Sequence, residues 1–391
     1  FLIFVYNSLK IFSLLKPLQE FTINPKYKIS IYLYFLSTFF YIFSLTYVDM
    51  LSGSYMLHSR TRFLEVASIL ILLAGVSPLE SYYKLFVGAF GSKNAIAETL
   101  ARATPIILTG LAAAIAFRAK FWNIGAEGQL YAGALAVTFF GTGLIQLPDF
   151  LMIPFLFLVG ALAGGLLLLP LVLLRNYYKV DEVVTTLLTN FIIVLLVGYL
   201  LEGPWKDPMS LGWPQGASVI DEGVLPQIIP RTRLHLGFII SIFTAITIWL
   251  ILSRTILGYK IKAVGINPSA SHHAGIPVIG TIITVAILSG GMAGMAGVTE
   301  TAGLKGYLTL DLSPGFGYAG IAVAMLAGLN PIGIIFSGIF LASIYVGADA
   351  MSRAMNVPTY LADVIVALTV LFVLLSIIIV QYKLIFGGKK S

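Results

Sequence analysis

From position 60 onward the chain alternates long apolar runs with short polar or charged clusters. A membrane-spanning helix needs about 20 consecutive, mostly apolar residues. By that measure about ten segments stand out, at approximately 63–78, 99–117, 127–147, 151–174, 183–201, 235–253, 277–298, 313–329, 332–349 and 358–381. The first is short. The pattern predicts an all-α polytopic membrane protein with about ten transmembrane helices in its core.

Composition supports this. Hydrophobic residues make up 58% of the 391 positions and charged residues only 10%, against roughly 25% charged in a soluble domain. The 38 glycines suit closely packed membrane helices. In such a chain the net charge of +7 reads as topology rather than as nucleic-acid binding. Arg60, Arg62, Arg118, Lys120, Arg175, Lys179, Arg254, Lys260, Lys262, Lys383, Lys389 and Lys390 fall on one side, 12 of the 20 basic residues after position 59. Most of the acids fall on the other. The positive-inside rule therefore puts the first side, and both ends of the core, in the cytoplasm of a cell-membrane protein.

Several chemistries are excluded. The absence of cysteine rules out disulfides and thiolate nucleophiles. His58, His235, His272 and His273 have no metal-ligand spacing, so no metal or cofactor is expected. Gly387-Gly-Lys-Lys-Ser391 lacks the glycine spacing of a phosphate-binding loop. Any ATP is bound by another chain, and this one is not expected to be an enzyme.

The most informative stretch is Phe121-Trp-Asn-Ile-Gly-Ala-Glu-Gly-Gln-Leu130, a polar interruption between two apolar runs. Gly125 and Gly128 permit a tight, non-helical backbone there. Asn123, Glu127 and Gln129 bring polar atoms to a place where each is expensive. These three, with Asn190, Glu300 and Phe316, are the candidate translocation-pathway residues. The alternatives are that Glu127 pairs with Arg118 or Lys120, and that Asn190 makes a helix–helix hydrogen bond.

Two hydrophilic excursions stand out. Residues 202–234, rich in Pro, Gly and Trp, read as an external loop able to meet a soluble donor protein. Residues 254–276 read as a cytoplasmic loop. Within it Asn267 before Pro268 is a helix-start signal and Gly275 a helix-stop signal, which predicts about two turns of helix.

An internal repeat is also visible. Thr109-Gly-Leu-Ala-Ala-Ala-Ile-Ala116 matches Ser289-Gly-Gly-Met-Ala-Gly-Met-Ala296, and Tyr131-Ala-Gly-Ala-Leu-Ala-Val137 matches Tyr318-Ala-Gly-Ile-Ala-Val323. In the topology above the two pairs run in opposite senses, an inverted repeat of the kind transporters use. The break at 123–129 then has its counterpart around 299–316, which contains Glu300, Asp311 and Pro314-Gly315.

Five motifs occur in order: Ala101-Arg-Ala-Thr-Pro105; Asn123-Ile-Gly-Ala-Glu-Gly-Gln129; Asp181-Glu-Val-Val-Thr-Thr-Leu-Leu-Thr-Asn190; Ala263-Val-Gly-Ile-Asn-Pro268 with Ala274-Gly-Ile276; and Ser313-Pro-Gly-Phe-Gly-Tyr-Ala-Gly-Ile-Ala-Val-Ala324. Over about residues 62–386 the chain resembles the permease subunits of ABC importers of the simple-sugar and branched-chain amino acid type. It is most similar to the nucleoside branch served by a basic membrane lipoprotein. The resemblance implies an ATP-binding cassette subunit, a second related permease and an external substrate-binding lipoprotein as partners. It also implies that Gly258, Lys260, Lys262, Gly265, Asn267, Pro268, His272, Ala274 and Gly275 form the loop that couples to the ATPase.

The domain organisation expected is an N-terminal extension over 1–60, a permease domain over 61–386 and a cytoplasmic tail over 387–391. The extension holds 15 of the 45 Phe and Tyr residues and one glycine, Gly53. It reads as an appendage, with Met50 or Met56 as candidate starts, or as one extra helix over 29–48. A simple-sugar cargo such as ribose is the runner-up. An ion-driven secondary transporter, using Glu127 or Asp363 for its coupling ion, is the reading from a different class.

Overall fold

The computed structural model describes residues 75–360 continuously, with residues 68, 71, 72, 363–368, 370 and 371. The expected extension over 1–60, the tail over 387–391 and most of the first and last expected spans lie outside the described residues. The chain divides into two compact units, one made of residues up to Tyr82 with those from Met355 on, the other of Tyr83–Ala354. In the first, the Ser68 and Tyr82 hydroxyls are 3.2 Å apart. The second unit holds every candidate pathway and coupling-loop residue, and Asp363 falls in the first.

The elements, in order, are α1 (Pro78–Phe90), α2 (Lys93–Arg118), α3 (Ala126–Gly141), α4 (Asp149–Tyr178), α5 (Glu182–Glu202), α6 (Gly237–Arg254), α7 (Ile256–Ile266), α8 (Pro268–His273), α9 (Val278–Val298), a π-helix (Thr299–Lys305), α10 (Phe316–Leu326) and α11 (Pro331–Met355). The described residues contain no extended sheet, only two isolated bridges. Six helices there are long and apolar enough to cross a membrane: α2, α4, α5, α6, α9 with its π-helical extension, and α11. The protein is a multi-pass, all-helical membrane protein. Two expected spans are shorter as helices: α3 has 16 residues and α10 has 11. α3 stops at Gly141, short of the expected end at 147, and α10 loses three residues at each end of the expected 313–329.

α2 is the central element. Every residue from Ala103 to Phe117 is buried, so the helix is apolar all round rather than amphipathic. Its start is capped by Ser92, whose hydroxyl accepts the Ala95 N–H at 3.1 Å. The outer helices differ: only 22% of α5 and 28% of α6 is buried, and Phe191, Leu195, Tyr199 and Phe243 are exposed apolar side chains. Such apolar surface is what helices present to lipid or to another membrane subunit.

What draws α3, α4 and α9 together is the absence of side chains. Gly160 and Gly164 on α4 meet Gly290 and Gly294 on α9, at the four-residue spacing that keeps small residues on one helix face. A Cβ on Gly164 would strike the Gly290 carbonyl, and one on Gly294 would strike that of Gly160. Backbones lie directly against each other. Replacing Gly294 with leucine is expected to destabilise the chain by about 1–3 kcal/mol or more, read as a lowered thermal midpoint of the purified protein. Gly198→Ala, where the new methyl meets only the Leu310 side chain at 3.6 Å, should not lower the midpoint and is expected to raise it slightly, since glycine inside a helix costs about 0.5–1 kcal/mol against alanine.

Candidate functional site

The polar interruption after α2 is a true break. Ala119 ends the helix, Lys120 turns with φ of 51°, and helical geometry resumes only at Ala126. A break inside an apolar bundle frees backbone groups that the protein itself must satisfy. Asn123 is central to this: its Oδ1 accepts the Gly125 N–H at 3.0 Å and a Gln129 Nε2 hydrogen at 2.9 Å. Its Nδ2 donates to Gln129 Oε1 and to Ser289 Oγ, each at 2.9 Å. Ser289 in turn donates to the Ala112 carbonyl at 2.7 Å, tying α9 to α2 through the loop.

Asn190, on α5, secures the start of α3. Its Oδ1 accepts the Gly128 N–H at 2.8 Å, while its Nδ2 donates to the Ile124 carbonyl and the Tyr318 hydroxyl, each at 3.0 Å. The helix–helix hydrogen bond expected as an alternative for this residue is present. Gly128 suits the close approach here, because a Cβ would sit 3.0 Å from the Asn190 backbone and side-chain oxygen.

Glu127 pairs with neither Arg118 nor Lys120. Arg118 Nε donates to the Leu329 carbonyl at 2.9 Å, and Glu127 Oε2 accepts the Gly317 N–H at 2.7 Å. The carboxylate of one broken helix thereby caps the first turn of another, α10, whose own cap position is Gly315 with no side chain to offer. An anion at a helix N-terminus is favoured by the unpaired N–H groups and the helix dipole. A Cβ on Gly317 would strike the Glu127 backbone, so the starts of α3 and α10 touch.

The cation that braces the loop is Arg175, at the end of α4. It donates to the Lys120 carbonyl at 3.1 Å, lies 5.4 Å from the Phe121 ring centre and pairs with Glu182 at 3.1 Å.

Glu300 and Phe316 form a different kind of place. Glu300 is buried in the π-helix, and its Oε1 has no hydrogen-bond partner. The Phe316 ring is covered by the Arg102 guanidinium, 5.9 Å from its centre, and meets Tyr345 edge-on at 6.5 Å. Arg102 Nη2 is 3.7 Å from Asp349 Oδ2. Thr109 Oγ1 stands 2.9 Å from the carbonyls of both Pro105 and Phe316, and its single proton serves one at a time.

The loop over 202–234 pairs with the π-helix and the residues after it. Leu225 donates to the Ala302 carbonyl at 2.9 Å, Val219 to Gly306 at 2.8 Å and Gly216 to Leu308 at 2.9 Å. Asp311, at the rim, is held below the usual carboxylate range first by the Thr309 hydroxyl and then by Lys305, against the opposing effect of burial. Asp363 is exposed.

On the other hydrophilic excursion, the helix expected between Asn267 and Gly275 is α8. Asn267 Oδ1 accepts the Ala270 N–H at 3.1 Å, and Gly275 turns the chain with φ of 78°. The preceding stretch is also helical, as α7. There Gly258 and Gly265 are buried contact points, a Cβ on the latter striking the Arg118 carbonyl. Lys262, Asn267, Pro268, His272, Ala274 and Gly275 are exposed, and Lys260 is half-buried.

A family model described as the permease component of branched-chain amino acid transport systems matches residues 95–374. The chain belongs to this permease family. The match takes in the break, the π-helix and α8 alike. Among curated relatives, the permease is 34% identical over 313 residues to the guanosine ABC transporter permease protein NupP of Bacillus subtilis, covering 79% of this chain and 89% of that one. It is 31% identical to the glucose ABC transporter permease protein TsgB13 of Haloferax volcanii, over 82% and 86% of the two chains. The nucleoside ABC transporter permease protein NupB of Lactococcus lactis is 30% identical, over 80% and 88%.

Sequence reasoning missed Arg102, Ser289, Arg175 and Tyr318 as partners in these networks. Arg102 was open to detection, as a charge just ahead of an apolar run. Ser289 carried no signal, because a serine in a glycine-rich helix reads as a small packing residue.

Asn190→Leu should leave the Gly128 N–H and the Ile124 carbonyl unpaired. A loss of about 1–3 kcal/mol for each buried group is expected, measured as a fall in the thermal midpoint. Ser253→Ala, at an exposed position whose hydroxyl bonds only its own helix, should change stability by less than about 0.5 kcal/mol.

Proposed function

We propose that this permease is the substrate-conducting subunit of an ATP-driven importer of nucleosides. The observation that carries the reading is the combination of family membership with relatives named for guanosine and nucleoside transport over more than three quarters of the chain. A neutral nucleoside needs hydrogen bonds and flat apolar faces rather than a counter-ion. The second unit offers few buried charges but several buried polar and aromatic side chains. A sugar cargo is the second reading, favoured by the 31% identity to a glucose permease.

In this reading ATP is hydrolysed on a separate cassette subunit, a related permease completes the pathway and an external lipoprotein delivers substrate. The core of about ten spans, residues 61–386, has both ends in the cytoplasm. The inverted repeat is supported by two corresponding breaks, each followed by a short helix, α3 and α10, whose first turns meet at Glu127 and Gly317. In transporters, helices broken at the repeat interface mark the pathway. Of the six candidates, Asn123, Gln129 and Asn190 spend their polar atoms on holding the break. That leaves Glu300 and Phe316, with Glu127 between them and the break, as the groups best placed to meet a solute.

The exposed α8 is the coupling element. It is short, capped and preceded by α7, which Gly265 seats against the end of α2, so a push on α8 can be carried to the helix that precedes the break. Asn267→Ala removes a cap worth about 1 kcal/mol from a six-residue helix. ATP-dependent uptake is expected to fall several-fold while the thermal midpoint of the purified chain stays in place.

The reading is tested by uptake of radiolabelled guanosine, adenosine and uridine into proteoliposomes holding this chain with its genomic neighbours. Uptake requiring internal ATP and the binding protein is expected. Uptake driven by an ion gradient without ATP would overturn it, and uptake of glucose or ribose in place of nucleosides would select the second cargo.

A further inference from the structure

Six buried side-chain atoms among the described residues have no hydrogen-bond partner: Arg102 Nε, Asn176 Nδ2, Ser210 Oγ, His235 Nε2, Glu300 Oε1 and Thr301 Oγ1. Four of them belong to one neighbourhood. Glu300 and Thr301 are successive residues of the π-helix. The His235 imidazole lies where a Cβ on Gly303 of the same helix would go. Arg102 and Lys305 are the positive charges that act on the Glu300 carboxyl. Buried polar groups are nearly always paired, and π-helical turns concentrate at functional positions. Elsewhere in this bundle polar groups are satisfied with economy, as Asn123 and Asn190 demonstrate, so four unpaired atoms around one turn set this place apart.

Arg102, whose charge reaches Glu300, is also the cover of an aromatic face. The Phe316 ring carries the Arg102 guanidinium on one side and the Tyr345 ring at its edge. The cover is lightly held: Arg102 reaches Asp349 only at 3.7 Å, beyond a good hydrogen bond, and both side chains are partly open to solvent. A guanidinium stacks on an aromatic ring much as a planar base does, so one can replace the other on the same face.

Building on the nucleoside reading above, we propose that Arg102, Glu300 and Phe316 form the point at which the permease contacts the nucleobase. Phe316 supplies the stacking face once Arg102 has moved aside. Arg102, positioned by Asp349, donates to acceptors on the edge of the base. The free oxygen of Glu300 takes hydrogens from that edge. A purine or pyrimidine presents a flat π-face together with donors and acceptors in one plane, which suits this set; a free sugar has no such face. The backbone ladder from the loop over 202–234 to Ala302, Gly306 and Leu308 gives a binding protein docked outside a direct mechanical connection to the π-helix that carries Glu300.

Variants are tested in vesicles holding the complete importer with its binding protein. Capture affinity belongs to the binding protein, so a contact inside the permease changes the maximal rate and the preference among bases rather than KM. Phe316→Leu is expected to lower the maximal rate of guanosine uptake about tenfold, with Phe316→Tyr restoring it, since stacking depends on a ring being present. Arg102→Lys and Glu300→Gln are expected to alter the ratio of guanosine to uridine uptake about threefold or more, because they change groups that read the edge of the base. A purely structural role would slow all nucleosides equally and leave the ratio untouched. Nucleoside uptake by the unaltered importer, combined with unchanged rates and ratios in these variants or an equal slowing of every nucleoside, overturns the site and leaves the import reading standing. Import of sugars but no nucleosides by the unaltered importer overturns the cargo and the base contact together, leaving membership of the permease family intact.

If Phe316→Leu fails to assemble, Arg102→Lys and Glu300→Gln provide the second measurement: an unchanged ratio of guanosine to uridine uptake in both overturns the proposal.

Discussion

A helix broken inside a hydrocarbon environment frees N–H and C=O groups that have no water to turn to, and the protein must bond them itself. The arrangement of the bundle around α2 and α3 follows from this constraint. Asn123 folds back on Gly125 and Gln129, Asn190 reaches across from α5 to Gly128 and Ile124, and Ser289 joins the loop to α2 and α9. Three helices distant in sequence are brought into register by one break. The cost of leaving any of these groups unpaired fixes the relative positions of α2, α3, α5 and α9 more tightly than apolar packing does, because lipid competes for apolar surface and offers no hydrogen bonds.

Glycine makes that register possible. Side-chain amides are short, and Asn190 reaches the Gly128 N–H only because no Cβ stands between the helices. The same economy on α4 and α9, where Gly160, Gly164, Gly290 and Gly294 let carbonyls lie against Cα atoms, draws the rear of the bundle together. Polar bonds and glycine contacts depend on each other: the close approach shortens the reach, and the hydrogen bonds hold the helices at an approach with little side-chain surface to bury. Glu127 extends the scheme to α10, serving as the cap that Gly315 cannot be.

Much of this was legible in the sequence, and unevenly so. The break announced itself through polar residues and glycines between apolar runs, although it ends at Gly125 and Gly128 is already helical, and the Asn267-Pro268 start and Gly275 stop of α8 were read from local rules that act over a few residues. Partners were harder to read. Glu127 lies nine residues from Arg118, which invites a local ion pair, yet its hydrogen bond goes to Gly317, 190 positions away. A backbone N–H has no letter in the sequence, so a carboxylate that bonds one leaves no trace of its partner. The shortening of α10 to 11 residues was hidden for a related reason: Ala327, Gly328 and Leu329 continue the apolar run past the end of the helix at Leu326, and hydropathy alone does not separate turn from helix.

The difference between satisfied and unsatisfied polar groups then separates two roles that composition merges. Asn123 and Gln129 belong to the same motif as Glu127, Asn190 ends the next one, and all three share their burial with Glu300; all of them qualified as pathway residues on the ground that polarity in a membrane is costly. That cost is the same whether the group serves structure or substrate; what differs is where it is recovered. The amides recover it within the chain, with nearly every donor and acceptor in use, so a passing solute would have to break bonds that hold the fold. Glu300 and Arg102 each keep an atom unpaired, so a solute that reaches them displaces only the lightly held Arg102 cover and supplies what is missing. A transport pathway needs contacts of that second kind, strong enough to admit a solute and dispensable enough to release it.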